Sequence, residues 1–424
     1  MIKAIVNPDA QEIKVSAETH RELGAPTAIE LCFGQLRKEL PITVDSVADG
    51  TAIVPGYLSS KVSIPDLPYQ ARWQEGKLHL GPVIGFMNNP IFFENPHWIA
   101  SRFERYSDYQ GLIFIFAMKY VDIKNKLIRG KYYNPVSQDF VDAILPYPAA
   151  VYFRTNPTPQ LYRHFKNLLG EDKLYNYPYR SNKWVFWNLA RNYPQLHRHL
   201  PETREFNTLE DVLDMLGKYS TVYIKPYDLS RGRGIFRLAK ENKRYTLKDS
   251  TGHLWSANSD SILEQLLQNL PRREYLIQQE IFFYHQGHKA DFRVYLQKNG
   301  TKEWKYKWLE MKLAIKGSII SNFSNRYELV PGEEALQTVF GLGGGEMRQK
   351  IDEITRISIQ GLGALEDNGH HLGDVALDLV LDRDLKVWLL EVQPDYYSDV
   401  FRVDFQKVHM HPDSFEYVKA LAGF

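Results

Sequence analysis

The alternation of hydrophobic and polar positions along this 424-residue chain changes character near residue 81 and again near residue 222. Before the first change lie short alternating runs such as 2–6 and 52–55, broken by Gly and Pro. Such alternation predicts the half-buried strands of a small β domain. Val15, Leu23 and Pro26 recur as Val54, Val62 and Pro65 at an offset of 39. Three loose matches do not establish a repeat, although a duplicated β unit closed into a barrel would produce them, because closure removes exposed strand edges.

From Gly81 onward the apolar runs 83–87, 112–116 and 149–153 are continuous and are separated by helical stretches, which predicts buried strands in an α/β arrangement. A polar, aromatic segment, 162–188, follows, and its Pro178 predicts a break before the next helix. Strands return at 222–225, 275–279, 292–296 and 308–315. Apolar positions Ile351, Ile354, Ile357, Ile359, Leu362 and Leu365 predict a helix over 346–365. The expected class is α+β and multidomain, divided as 1–80, 81–180 and 181–424.

Composition narrows the function classes. Lys and Arg total 52 against 51 Asp and Glu, and no basic stripe appears, so nucleic-acid binding is not expected. The longest apolar run, 111–118, is far short of the ~20 residues that span a bilayer, and 1–10 lacks an apolar signal core, so a soluble cytoplasmic protein is expected. The one cysteine, Cys32, sits between Leu31 and Phe33 and reads as a buried structural thiol. The 13 histidines, among them His370, His371, His409 and His411, show no metal-ligand spacing.

The closing segment carries the strongest chemical signal. Residues 375–381 read as a strand, 382–386 as a turn and 387–393 as the returning strand. If the hairpin is centred between Asp384 and Leu385, it places Asp378 opposite Glu391 with side chains ~5 Å apart, and Gln393 two residues along the same face. Two such carboxylates repel unless a cation joins them, and Mg²⁺ is typically held by one or two carboxylates together with nucleotide phosphates. An acidic hairpin half exposed to water, with no ion, fits the same residues.

A second motif runs from Val222 to Ile235. A strand delivers Lys225 and enters a loop in which Gly232 and Gly234 permit close backbone approach, while Ser230, Arg231 and Arg233 add donors and charge. An anion such as phosphate suits this loop, which lacks the Gly-Lys-Ser/Thr ending of a Walker loop. A plain hairpin turn is the competing reading.

Taken in order, Lys183, Lys225 and its Gly loop, Gln279-Glu280-Ile281, Asp291-Phe292-Arg293, Asn322 and the Asp378/Glu391/Gln393 hairpin resemble the ATP-grasp superfamily. The loop Lys225-Pro226-x-x-Leu229-Ser230-x-Gly232-x-Gly234-Ile235 is similar to that of the YheC/YheD family of endospore coat-associated proteins, as are Leu80-Gly81-Pro82-Val83-Ile84-Gly85 and Leu200-Pro201-Glu202-Thr203. The resemblance implies an ATP-grasp fold over 181–424, preceded by an α/β pre-ATP-grasp domain. It implies that Lys183, Lys225, Ser230, Arg231, Gly232, Arg233 and Gly234 meet ATP phosphates, that Gln279, Glu280 and Ile281 meet adenine through their backbone, and that Asp378, Glu391 and Gln393 hold Mg²⁺. Arg293, Lys312 and Asn322 would serve the transfer itself, Arg293 against an Asp291–Arg293 structural pair as its alternative.

The implied activity is ADP-forming carboxylate–amine ligation through an acyl phosphate, on an unidentified small molecule or peptide, with spore-coat association and spore-coat partners implied by the same resemblance. Related proteins carry Asn in place of Gln393, Gly-Gly after the residue matching Asn322, and Gly in place of Leu229. These departures leave open a spore-coat scaffold without turnover, or a phosphotransferase on the same fold.

Overall fold

In the computed structural model the structure describes residues 2–59, 61–177, 183–229, 232–242, 244–396 and 412–424. The chain forms two compact units, one of Met1–Tyr177, Gln297–Lys305 and His409–Phe424, the other of Pro178–Leu296 and Tyr306–Val408.

In the first unit, seven strands close a barrel in the order β1-β5-β2-β4-β3-β7-β6. They are β1 (Ile2–Asn7), β2 (Ile13–Val15), β3 (Ala28–Phe33), β4 (Leu36–Val44), β5 (Thr51–Pro55), β6 (Tyr69–Gln74) and β7 (Lys77–Gly81). The barrel closes, as a duplicated β unit would, though three matches are also what chance gives. Lys14 on β2 pairs with Ile53 on β5, its own counterpart at the offset of 39, and the parallel pairings β1–β5 and β2–β4 exchange strands between the two halves. Val15 and Val54 are both fully buried. Cys32 is buried and accepts a hydrogen bond from Arg37 at 2.8 Å, in keeping with a structural thiol.

The rest of this unit holds β8 (Val83–Met87), β9 (Leu112–Phe116), β10 (Val121–Asp122), β11 (Leu127–Asn134), β12 (Asp139–Pro146), β13 (Ala150–Phe153) and β14 (Leu174–Tyr175). β9, β8, β13 and β14 are parallel neighbours. Every residue of β8, β9 and β13 is buried, which is why their runs are continuously apolar rather than alternating. The helix Pro412–Leu421 lays Phe415 edge-on against Phe86 at 5.5 Å, closing one face of this sheet.

The second unit contains two sheets, the first of them antiparallel throughout. The first, in order β15-β20-β16-β17-β18-β19, uses β15 (Thr203–Glu205), β16 (Thr221–Pro226), β17 (Phe236–Glu241), β18 (Arg244–Asp249), β19 (Leu254–Ala257) and β20 (Tyr275–Gln279). The helices Leu209–Tyr219 and Asp260–Gln268 supply Val212, Met215, Leu216, Leu263 and Leu267 to its core. Thr208 starts the first helix by accepting from Asp211 N–H while the Asp211 carboxylate accepts from Thr208 N–H, which satisfies two otherwise orphaned donors.

The second sheet has the order β24-β23-β22-β25-β26, with the short β21 (Tyr284–His285) beside β22. Its strands are β22 (His288–Lys298), β23 (Trp304–Ala314), β24 (Arg326–Pro331), β25 (Asp374–Leu381) and β26 (Val387–Gln393). The helix Gly344–Glu366 covers it through Ile354, Ile357, Leu362 and Leu365. Asp382 makes the β25–β26 turn by accepting from the backbone N–H of Asp384 and of Lys386, both at 3.0 Å.

All eight residues of β25 are buried. Leu377→Ala would leave a cavity between sheet and helix and is expected to cost about 2–5 kcal/mol. A lowered urea midpoint for the second unit measures it, and an unchanged midpoint would show that the strand is not part of the core.

Candidate functional site

The β25–β26 hairpin is not a simple ladder. Leu381 pairs with Val387 and Leu379 with Leu389, but Asp378 pairs with Glu391, so Leu390 is the extra residue of a β-bulge. Without it Asp378 would face Leu390. The bulge therefore brings the two carboxylates opposite each other and turns Leu390 into the cavity they share.

That cavity, about 740 Å³ with open solvent included, lies between the two sheets of the second unit and is lined by Lys183, Lys225, Gln279, Ile281, Lys312, Asn322, Asp378 and Glu391. Eight residues spread from 183 to 391 in the sequence thus meet in one place. Lys183 opens the helix Lys183–Ala190. Its ammonium donates to the Leu229 carbonyl at 2.7 Å and lies 3.2 Å from Glu391 Oε2, which ties the start of this helix to the Gly loop and to β26.

Asp378 is held hard. Arg293 spans both its oxygens, at 2.7 and 2.9 Å, and Lys312 donates to Oδ1 at 2.8 Å. Burial alone would push this carboxyl up, but the two cations hold it well below the usual carboxylate range. The Asp291–Arg293 pair allowed by the sequence does not form: Asp291 accepts from Ser321 Oγ at 2.6 Å, and Arg293 crosses to the neighbouring strand instead.

The structure adds Lys289 and Tyr223, which the sequence reading missed. Lys289 is buried and donates to Tyr223 Oη and the Ile319 carbonyl, both at 3.1 Å, and Tyr223 Oη donates to that carbonyl at 3.0 Å. The signal was available. In a strand, 289, 291 and 293 fall on one face, but placing the strand start at 292 hid the lysine; β22 begins at His288.

Lys225 differs from the other lysines of the cavity. It donates to Gln278 Oε1 at 2.6 Å and sits 5.3 Å from the Tyr223 ring centre, and among the described residues no carboxylate lies within ion-pair distance of it. Burial, then the neighbouring Lys289, lower its proton affinity to about 8.

Other expected residues stand elsewhere. The Glu280 side chain makes a two-pronged pair with Arg237, both bonds 2.8 Å, and is not part of the cavity wall, which leaves only its backbone for a ligand. Gly232 and Gly234 have φ of +75° and +67°, and a Cβ at Gly232 would come within 2.2 Å of Ile320 Cδ1, so the loop needs glycine to close on that wall residue. Arg233 lies in this loop with an exposed side chain, while Ser230 and Arg231 lie outside the described residues. Gln393 donates through its amide nitrogen to Glu391 Oε1 and does not line the cavity.

The two carboxylates are hard oxygen ligands of the kind a divalent cation takes, although Asp378 already accepts from Arg293 and Lys312 and the Gln393 amide turns nitrogen, not oxygen, toward Glu391. Among the described residues Asp291 Oδ1 is buried without a hydrogen-bond donor, with Lys289 no nearer than 3.8 Å, and Glu391 Oε2 has the Lys183 ammonium at 3.2 Å but no aligned hydrogen bond, so both oxygens have room for a donor or cation from a ligand. Among the described residues no three His, Cys, Asp or Glu are grouped as a self-sufficient metal cage. Any Mg²⁺ here would need ligand phosphates as well, which is its usual habit.

Residues 171–421 match the family described as YheC/D-like ATP-grasp, and the chain belongs to that family. The endospore coat-associated protein YheD of Bacillus subtilis (strain 168) is 25% identical over 355 residues, 77% of this chain and 76% of that protein. YheC of the same strain is 21% identical over 220 residues, 50% of this chain and 58% of that protein. Among solved structures, the ATP-grasp ligase PsnB complexed with minimal precursor aligns with a TM-score of 0.48 and 12% identity, over 80% of this chain and 99% of its own. The VanG D-Ala:D-Ser ligase of Enterococcus faecalis aligns with a TM-score of 0.46 and 10% identity, over 80% and 97%. Among the described residues no helix is long and apolar enough to cross a membrane.

Because the Lys225 ammonium loses its proton as the pH rises through about 8, an anion that needs it is expected to bind best below that value. The Kd for MgATP is expected to rise by about 10–30-fold between pH 7.5 and 9.5, and Lys225→Met should flatten the profile. Calorimetry across that range checks both.

Proposed function

We propose that this chain is an ATP-dependent, ADP-forming carboxylate–amine ligase whose nucleotide-binding domain spans 181–424, after domains at 1–80 and 81–180. One observation carries the reading: Lys183, Lys225, Lys289 and Lys312 converge on a cavity whose carboxylates are Asp291, Asp378 and Glu391, with Lys225 left uncompensated. An uncompensated, partly buried ammonium with its proton affinity already lowered is a seat for an anion.

In the proposed reaction a substrate carboxylate oxygen attacks the γ-phosphorus of ATP, the bond to the β-phosphate oxygen breaks, and ADP and an acyl phosphate result. An amine then attacks the acyl carbon, phosphate leaves, and the amine gives up its proton. Mg²⁺, held by Asp378 and Glu391 with the phosphates, would offset their charge. Lys183 and Lys225 bind phosphate, and the backbone at Gln279–Ile281 meets the base. Arg293 and Lys312 keep Asp378 ionised and aimed, and Asn322 stands on the wall where the acceptor enters. These groups position and neutralise rather than react, which is what phosphoryl transfer asks of a protein.

A scaffold without turnover is favoured by one observation. Gln393 presents its amide nitrogen to Glu391 and stays off the cavity wall, so it acts on the metal site through Glu391. Association with the spore coat would suit either reading.

Calorimetry should detect MgATP at millimolar concentration or below, and absence of binding there removes the enzyme reading. ADP release with pooled amino acids and peptides, lost in Glu391→Ala, supports ligase over scaffold; product mass separates an amide from a phosphate ester. Gln393→Asn should raise ADP formation if the longer side chain weakens the site, and an unchanged rate would clear Gln393 of that role.

A further inference from the structure

A second cavity of the same unit, about 810 Å³ with open solvent included, is walled by Trp187, Arg191, His197, Arg198, Lys386 and Trp388. It shares Gln279 with the cavity described above but none of that cavity's lysines. The phosphate-facing residues therefore do not account for it.

Its cations are held without being neutralised. Arg191 lies over the Trp187 ring at 5.0 Å from the centre, and Lys386 over the Trp388 ring at 3.6 Å. Indole faces attract such cations and fix their position, yet leave their charge available. Arg198 donates through Nε to Nε2 of His199 at 3.1 Å. The same imidazole bonds to the Val387 carbonyl through Nδ1 at 2.8 Å, so Nδ1 carries the proton, Nε2 accepts, and the ring is neutral. Burial lowers the proton affinity of His199, which agrees with that assignment.

Among the described residues no carboxylate lies within ion-pair distance of Arg191, Arg198 or Lys386. The acidic wall residue is Glu202, whose oxygens already accept from Arg204 at 3.0 Å, Lys218 at 2.9 Å and Tyr219 at 2.6 Å. Its charge is already met by these three donors. Three oriented cations, two of them guanidinium forks suited to oxyanions, surround an open space with nothing to balance them.

We propose that this cavity is a second binding site, for a small-molecule oxyanion carrying two or more negative charges, either phosphate-bearing or a polycarboxylate. A singly charged ligand would leave two of the three cations unmatched. The site stands whether or not the chain turns over ATP.

The test uses the full chain, with inorganic pyrophosphate and citrate as probes and acetate as the singly charged control. Trp187 and Trp388 line the site, so tryptophan fluorescence reports occupancy, and thermal unfolding gives an independent readout. At least one of the two polyanions is expected to change fluorescence and raise Tm in the wild type and in Lys225→Met, with acetate inactive. The double variant Arg191→Gln/Lys386→Gln should weaken that response by about tenfold or more. Both side chains rest on indole faces alone, so the ligand-free Tm of the double variant should stay near that of the wild type; should it not, the single variants carry the test. A stronger response to pyrophosphate identifies a phosphate-bearing ligand, and a stronger response to citrate a polycarboxylate. The proposal is overturned if neither polyanion acts at about 10 mM, if the response survives loss of Arg191 and Lys386, or if it vanishes in Lys225→Met and so belongs to the first cavity.

Discussion

The ion cluster at Asp378 is the constraint on which the candidate site rests. Arg293 on β22, Lys312 on β23 and Asp378 on β25 are three buried charges on adjacent strands. Removing Asp378 leaves both cations unbalanced in a poorly solvated place, which is more costly than never having buried them, whereas removing either cation leaves the other paired with Asp378. The cluster thus acts as a register lock, since a one-residue slip of β25 would turn Asp378 to the opposite face and strand both cations. It also fixes the protonation of Asp378, so one carboxylate of the hairpin is a dependable anion before any ligand arrives.

Charge balance then divides the roles of the remaining lysines. Lys183 bridges Glu391 and the Leu229 carbonyl, Lys312 belongs to Asp378, and Lys289 is anchored by Tyr223 and the Ile319 carbonyl near Asp291. Among the described residues only Lys225 faces the cavity with an amide oxygen and a ring as company and no carboxylate in ion-pair distance. The protein accommodates it by lowering its proton affinity rather than by supplying a counterion. A phosphate entering there gains an ammonium that costs no existing ion pair, whereas at Lys183 it must compete with Glu391. Loop and hairpin are coupled through that competition, since a ligand that draws Lys183 away from Glu391 also loosens its hold on Leu229.

Local pattern made much of this readable. The closing hairpin turns at Asp382 between two apolar runs, so both its strands follow from spacing. The ATP-grasp class follows from the order of motifs. What spacing could not reveal is which partner a buried charge selects. Arg293 and Asp291 are neighbours on a strand, yet the fork goes to Asp378, because that choice depends on the strand order β23-β22-β25, which no local window contains. Glu280 is similar: its backbone position is legible, while its pair with Arg237 comes from β17. The bulge at Leu390 was also hidden. The pairing inferred without it happened to be right at the site end of the hairpin, since the extra residue is accommodated before Glu391 is reached. Lys289 was lost for a simpler reason, a strand begun four residues late.

The bulge also bears on Gln393. In the β25–β26 ladder Gln393 pairs with Ala376, two positions beyond Glu391 and on the same face, so the backbone points its side chain toward the carboxylate pair. Its extra methylene carries the amide back onto Glu391 Oε1. Turning the amide over would present oxygen to oxygen, which repels unless a cation lies between them. The nitrogen-first orientation of this one amide is therefore the one that satisfies the carboxylate from within the protein. An asparagine has less reach and could not make this arrangement so readily, which would leave Glu391 more exposed to whatever ligand enters. Gln393 thus satisfies Glu391 from within the protein, which ties the second carboxylate of the hairpin to the side chain two positions along its own face.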